Sequence, residues 1–126
     1  MQGMEVQIED SLLKEILRFA RSRHPFEVIL LLRGEKKKNL IRVSEYLFPP
    51  FASASKTNAS FPVSMLPVDF TIIGTAHSHP SGSVRLSKVD YHNFFGRIML
   101  LMVYPYGLSD VVAFTKNGES ASINIL

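Results

Sequence analysis

The chain has no cysteine, which excludes disulfides and thiolate metal sites, so any bound metal must sit on His, Asp or Glu. It also lacks a long apolar run. The longest, residues 28–32 and 98–104, fall far short of the roughly 20 residues that cross a bilayer as a helix. The N-terminal region carries Glu5, Glu9 and Asp10 and no cleavable apolar stretch, so no secretory signal is expected and a cytoplasmic location follows. Basic residues do not recur along the chain or interleave with aromatics, which argues against nucleic acid as a partner. The net charge of +3 is modest, and its one concentrated source is Lys36-Lys37-Lys38, with Arg33 and Arg42 nearby. That cluster reads either as a solvated hairpin turn or as a docking patch for an acidic partner. Repeats and low-complexity tracts are absent. What remains is 126 residues, 46% hydrophobic and 20% charged, the profile of one soluble globular domain over 1–126, long enough to bury a sizeable core.

Periodicity gives the elements. Residues 4–8 read as a short edge strand. From Asp10 to about Arg23, Leu12, Leu13, Ile16, Leu17 and Ala20 form a helical stripe, with Asp10 or Ser11 to cap it and His24-Pro25 to end it. Residues 27–33 form a nearly continuous apolar run, as in a strand buried on both faces. A turn over 34–39 leads to a strand over 40–48, stopped by Pro49-Pro50. Residues 51–60 are rich in Ala and Ser and read as a mobile loop, and 61–66 as a short strand. A second buried strand covers 70–79, then a loop over 80–86. A helix starts at Ser87 with apolar positions Tyr91, Phe94 and Phe95, ending near Gly96. Strands follow over 98–104, 110–115 and 121–126, the last two joined by Asn117-Gly118, a strong hairpin signal. The 98–104 strand fits either the core or a homodimer interface. The fold class is α/β, with a mixed sheet.

The chemistry concentrates in His77-Ser-His79-Pro-Ser-Gly-Ser-Val-Arg-Leu-Ser87-Lys-Val-Asp90. At average residue usage such a pattern arises by chance in roughly one chain in 10⁴ of this length, so it carries information. Side chains alternate along a strand, so His77 and His79 share a face while Ser78 points away. Reversal through Pro80-Ser81-Gly82 can return Asp90 to the same pocket from the first turn of the following helix. Two His and one carboxylate leave a fourth position open on a catalytic zinc. Ser-x-x-acid before an apolar helix is also a capping box, with Ser87 as cap and Asp90 reaching back. The two readings are compatible, because a capping Ser87 can still present its hydroxyl to the pocket. Zinc hydrolysis also needs a group that moves protons, and the candidate is Glu27, at the start of an apolar strand where burial would raise its pKa. The competing view is a strand-edge glutamate facing water. His24 reads as a helix-end residue. His92, rotated about 200° from Asp90 on a helix, is not expected to be a ligand.

These residues resemble the JAMM/MPN+ metalloproteases, whose pattern is an upstream Glu, His-x-His-Pro, then Ser-x-x-Asp at this spacing. The likeness covers nearly the whole chain, including Pro25-Phe26-Glu27-Val28 and Gly74-Thr75-Ala76-His77-Ser78-His79-Pro80. It is similar to the compact archaeal and bacterial members and lacks the large insertions of eukaryotic deubiquitinases. The resemblance implies a cytidine-deaminase-like curved mixed sheet flanked by helices, with one Zn²⁺ held by His77, His79 and Asp90. It assigns Glu27 to water activation and to protonation of the leaving lysine amine, and Ser87 to oxyanion stabilisation. It also implies cleavage between the C-terminal glycine of a ubiquitin-like modifier and a lysine, with such modifiers and their conjugates as partners. Two alternatives stay open: a peptidase that processes a sulfur-carrier protein of the ubiquitin-like fold, and a RadC-like protein linked to DNA repair. The second rests on His77-Ser78-His79-Pro80-Ser81-Gly82 and would show salt-dependent DNA affinity. A ligand-less scaffold is disfavoured by the complete ligand set, and a nucleobase deaminase by the lack of His-x-Glu with Cys-x-x-Cys.

Overall fold

The computed structural model describes residues 3–50, 52–57, 59–62 and 69–126. β1 (Glu5–Ile8) runs directly into α1 (Asp10–Arg23), whose Leu13, Ile16, Leu17 and Ala20 are buried at three- and four-residue spacing. Each of the larger three stabilises the fold by roughly 1.5–3 kcal/mol on leaving water. The N-cap is Glu9 rather than Asp10 or Ser11, and its side chain makes no cap bond; Asp10 instead pairs with Lys14 at 2.9 Å. His24 is the C-cap residue.

Seven strands close into a barrel in the order β1-β3-β2-β6-β7-β8-β9. Of these, β2 is Ile29–Lys37, β3 Leu40–Leu47, β6 Ile72–His79, β7 Ile98–Val103, β8 Val111–Thr115 and β9 Ser120–Ile125. Closure comes from β1, expected as a free edge, which pairs in parallel with both β3 and β9. The β6–β7 pair is also parallel, whereas β2 runs antiparallel to both β3 and β6, so the sheet is mixed as the sequence indicates. Alternation splits β2 between two cores. Leu30 and Leu32 join α1, Val43, Leu100 and Met102 in the main cluster, while Ile29 and Leu31 meet Ala59, Phe61 and Ile72 on the other face. All six residues of β7 are buried. That strand therefore belongs to the core and offers no dimer face.

Four local expectations shift. The turn predicted over 34–39 shrinks to the tip between Lys37 and Leu40, because Gly34 serves a β-bulge where a side chain would collide with the Arg42 carbonyl. Lys36, Lys37 and Lys38 sit exposed at that tip. The segment 51–60 holds a small hairpin, β4 (Ser53–Ala54) against β5 (Ala59–Ser60), anchored by buried Ala59 and Phe61. In the strand predicted over 61–66, Phe61 and Pro62 are not in a strand and the remainder lies outside the described residues. The helix that opens at Ser87 is only α2 (Lys88–His92). It stops where buried Asn93 folds its amide back onto the Val89 carbonyl (2.8 Å) and accepts from the Phe61 amide (3.2 Å). Gly96, at φ +81°, then carries the chain against the Ile73 carbonyl, where a Cβ would lie at 2.6 Å. Among the described residues, no helix is long and apolar enough to cross a membrane.

Candidate active site

Every residue of β6 is buried, including its polar end, Thr75, His77, Ser78 and His79. The antiparallel register places Ile29 opposite His77, so continuing the pairing brings Glu27 opposite His79. Two bonds lock that extension: the Ser78 amide donates to the Val28 carbonyl (3.1 Å), and the Val28 amide donates to Ser78 Oγ (2.8 Å). Ser78 thus does more than point away from the site, since its buried hydroxyl fixes the backbone beside Glu27. The Glu27 amide is held from the other side by the Ser55 carbonyl at 2.7 Å. Glu27 is 5% exposed, which settles its position against a water-facing strand edge.

Asp90 arrives from the far side on α2. Its amide donates to Ser87 Oγ (3.1 Å) and its Oδ2 accepts from the Ser87 amide (2.8 Å), a complete capping box. The same carboxylate reaches the histidines: Oδ2 lies 2.9 Å from His79 Nε2, and Oδ1 3.5 Å from His77 Nδ1. Cap and site are therefore one arrangement. Ser87 Oγ acts as acceptor in the cap, so its proton stays free to face the groove it lines with Glu27 and His79.

The electrostatics follow from burial among neighbouring charges. Burial pushes the Glu27 carboxyl up to about 7, with Asp90 adding to the rise and His79 opposing it. Burial pulls His77 down to about 4, so the imidazole is neutral near pH 7. Burial also acts against a charged His79, but the Asp90 hydrogen bond, the Ser83 carbonyl and the nearby carboxylates raise its pKa overall. Asp90 is lowered despite its burial, because His79 and the Ser87 amide donate to it and both histidines attract its charge. A carbonyl only accepts, so the 2.9 Å contact with Ser83 O puts a proton on His79 Nδ1 and turns Nε2 toward Asp90 and Glu27.

The donor set suits a metal. Ligand atoms of Glu27, His79 and Asp90 lie within 4.8 Å of one another. His77 stands outside that trio and joins it through Asp90, yet both of its ring nitrogens are buried without a hydrogen-bond partner. A buried neutral imidazole with no partner is an unmet lone pair, which a metal would satisfy. The chain thus brings together Glu27, His77, His79, Ser87 and Asp90 as the sequence indicates. It keeps His24 apart, stacked on Tyr104 and bonded to the Tyr106 hydroxyl at 2.8 Å, and leaves His92 exposed. Sequence reasoning missed the supports: Ser78, and the carbonyls of Ser55 and Ser83. For Ser78 a signal existed, a lone hydroxyl in an otherwise buried strand end. Backbone carbonyls leave none.

Known proteins resemble this chain in sequence and fold. A family described as prokaryotic homologs of the JAB domain matches residues 9–119. A protein named "Probable metalloprotease" from Haloferax volcanii is 33% identical over 110 residues, covering 82% of this chain and 68% of that protein. A JAB1/MPN domain protein from Archaeoglobus fulgidus is 30% identical with a TM-score of 0.68, each chain covered in full (100%). A structure described as "JAMM: A Metalloprotease-like Zinc Site in the Proteasome and Signalosome" is 28% identical with a TM-score of 0.66, covering 99% of both chains. A protein from Desulfitobacterium hafniense shares the fold at 17% identity and a TM-score of 0.70, over 96% of this chain and 92% of that one. With the family match spanning residues 9–119 and the relative above 30% identity, the chain belongs to the prokaryotic JAB-domain family of JAMM/MPN+ metalloproteases.

Proposed function

We propose that the protein is a zinc-dependent isopeptidase that cleaves the bond between the C-terminal glycine of a ubiquitin-like modifier and a lysine amine. The observation that carries this reading is a buried Glu27 carboxyl, poised near neutrality, with Oε1 4.0 Å from His79 Nε2. Zinc, held by His77, His79 and Asp90, would supply Lewis-acid polarisation of the scissile carbonyl and a water of lowered pKa.

The chain's own residues do the rest. Glu27 takes a proton from the attacking water and delivers it to the departing nitrogen, which a group titrating near pH 7 can do in both directions. The water oxygen becomes part of the new carboxyl group, and the lysine leaves as an amine. Ser87 offers its hydroxyl to the carbonyl oxygen as negative charge develops there. Ser83 O holds the His79 ring, and Ser78 with Ser55 O holds Glu27 opposite it. An extended modifier tail would add to the β4–β5 hairpin beside this site by strand pairing.

Removal of residues 53–60 should raise KM for a ubiquitin-like substrate while zinc binding survives; unchanged KM would count against tail pairing there. Because Ser55 also anchors the Glu27 amide, kcat should fall as well. The main test is incubation with ubiquitin-like conjugates with and without chelator, read by mass spectrometry. A modifier released with an intact C-terminal glycine, only in the zinc-loaded sample, is expected. Release that persists in chelator, or none at all, would overturn the reading.

A further inference from the structure

Glu27 lines two grooves. One, of about 290 Å³, is mostly apolar, walled by Phe19, Phe26, Val28, Ile29 and Phe48, and reaches Ala54 of β4; its one cation, Arg23, lies over the Phe19 ring, 5.4 Å from the centroid. The other, of about 260 Å³, mixes polar and apolar surface and contains Lys56, His79, Ser81, Arg85 and Ser87. Lys56 comes from the β4–β5 turn and Arg85 from the loop before α2, so two separate segments bring positive charge to one recess. Neither charged end has an ion-pair or hydrogen-bond partner among the described residues.

We propose that this second groove is the leaving-group subsite and that Lys56 and Arg85 bind a substrate carboxylate there. The proposal rests on the peptide-cleaving reading above. Two cations without a partner among the described residues, beside Glu27 and His79, raise the positive potential of the recess, and a ligand that enters it is favoured if it brings negative charge. The only anions an unmodified polypeptide offers near pH 7 are carboxylates, and a guanidinium binds them in a fork. The scissile end of the acyl half does not supply one: its terminal glycine has lost its charge in the amide, and an extended tail suits the mostly apolar groove along β4. The carboxylate therefore belongs to the amine half. Hydrolysis breaks the C–N bond, adds OH to the acyl carbon and H to the departing nitrogen, and releases the anion with the amine.

Two sources share this chemistry: the α-carboxylate of an amino acid in ordinary peptide linkage, and an acidic side chain beside an acceptor lysine. Four substrates built on acetyl-Leu-Gly-Gly separate them. In the first pair the tail is joined to alanine with a free carboxylate or to alanine amide. In the second it is joined to a lysine Nε flanked by Glu or by Gln. With the zinc-loaded full chain, one charged substrate should exceed its neutral twin in kcat/KM by about tenfold or more, through KM, as a charge-assisted contact implies. In a Lys56→Gln/Arg85→Gln variant the gap should close to about twofold. Discrimination within the alanine pair points to a released amino acid, and within the lysine pair to an acidic acceptor site. Turnover without discrimination, or a preference that survives in the double variant, would overturn this inference alone. No turnover of any substrate, with metal bound, would overturn it together with the isopeptidase reading.

Discussion

The floor of the site and its rim are built on different terms. On the floor, β6, α2 and the residues before β2 place Glu27, His77, His79 and Asp90 in one buried cluster, with both His77 ring nitrogens lacking a hydrogen-bond partner. The rim has Lys56 and Arg85, without an ion-pair partner among the described residues, on one side of Glu27 and exposed Phe26 and Phe48 on the other, with Phe48 62% exposed. A buried charge is costly unless paired, so the floor tolerates few substitutions. Exposed groups with unused contacts cost the free protein little and are available to a substrate. On the proposed reading, the floor carries the reaction and the rim the substrate preference, so substitutions in each region should fail differently.

The largest effect is expected at Asp90. Asp90→Ala removes a carboxylate shared by His79, His77 and the α2 cap, so zinc content measured by elemental analysis should fall toward zero and turnover with it. Retained stoichiometric zinc would remove Asp90 from the ligand set. Glu27→Gln comes next, keeping zinc but costing on the order of 10²–10⁴ in kcat. Ser87→Ala should cost up to roughly 10²–10³ in kcat, the scale of a lost oxyanion donor, plus about 1 kcal/mol of stability from the cap. Restored Tm with activity still lost, achieved by Ser87→Asn, would separate the two roles. Smaller still is Ser78→Ala, which leaves the Val28 amide short of its acceptor: kcat should fall more than KM rises, zinc should remain, and Ser78→Thr should rescue. Equal losses in the Thr variant would make Ser78 merely a packing residue.

pH sharpens the contrast through stability. Glu27 in the metal-free protein has a carboxyl raised from 4.5 to about 7. Its neutral form is the favoured one, so its stabilising contribution is full below about 4.5 and is lost as pH rises through about 7. Thermal unfolding of chelator-treated protein should therefore show Glu27→Gln gaining on the unsubstituted chain between pH 5 and pH 8. A constant difference in Tm across that range would mean that Glu27 is not held in a desolvated setting.

Much of this was legible in the chain. Regular spacing exposed α1, β6, β7 and the β8–β9 hairpin, because alternation and the 3.6-residue period are local properties. The His77-x-His79 and Ser87-x-x-Asp90 spacings exposed most of the floor for the same reason. Barrel closure was not readable, since β1 is an edge or a bridge only according to which strands flank it. The burial of Glu27 depends on its register opposite His79, which no local pattern records. The brevity of α2 depends on Asn93 meeting Phe61, a contact about thirty residues apart. The two grooves need the whole fold in place, because Lys56 and Arg85 come from unrelated loops.

The central claim is that Glu27 moves the proton while other residues hold the metal. The measurement that bears on it most directly pairs zinc stoichiometry with single-turnover cleavage of a ubiquitin-like conjugate by Glu27→Gln. The account predicts one zinc per chain, bound substrate and almost no released glycine terminus. A Glu27→Gln protein that cleaves at the unsubstituted rate, or that comes away without zinc, would contradict it.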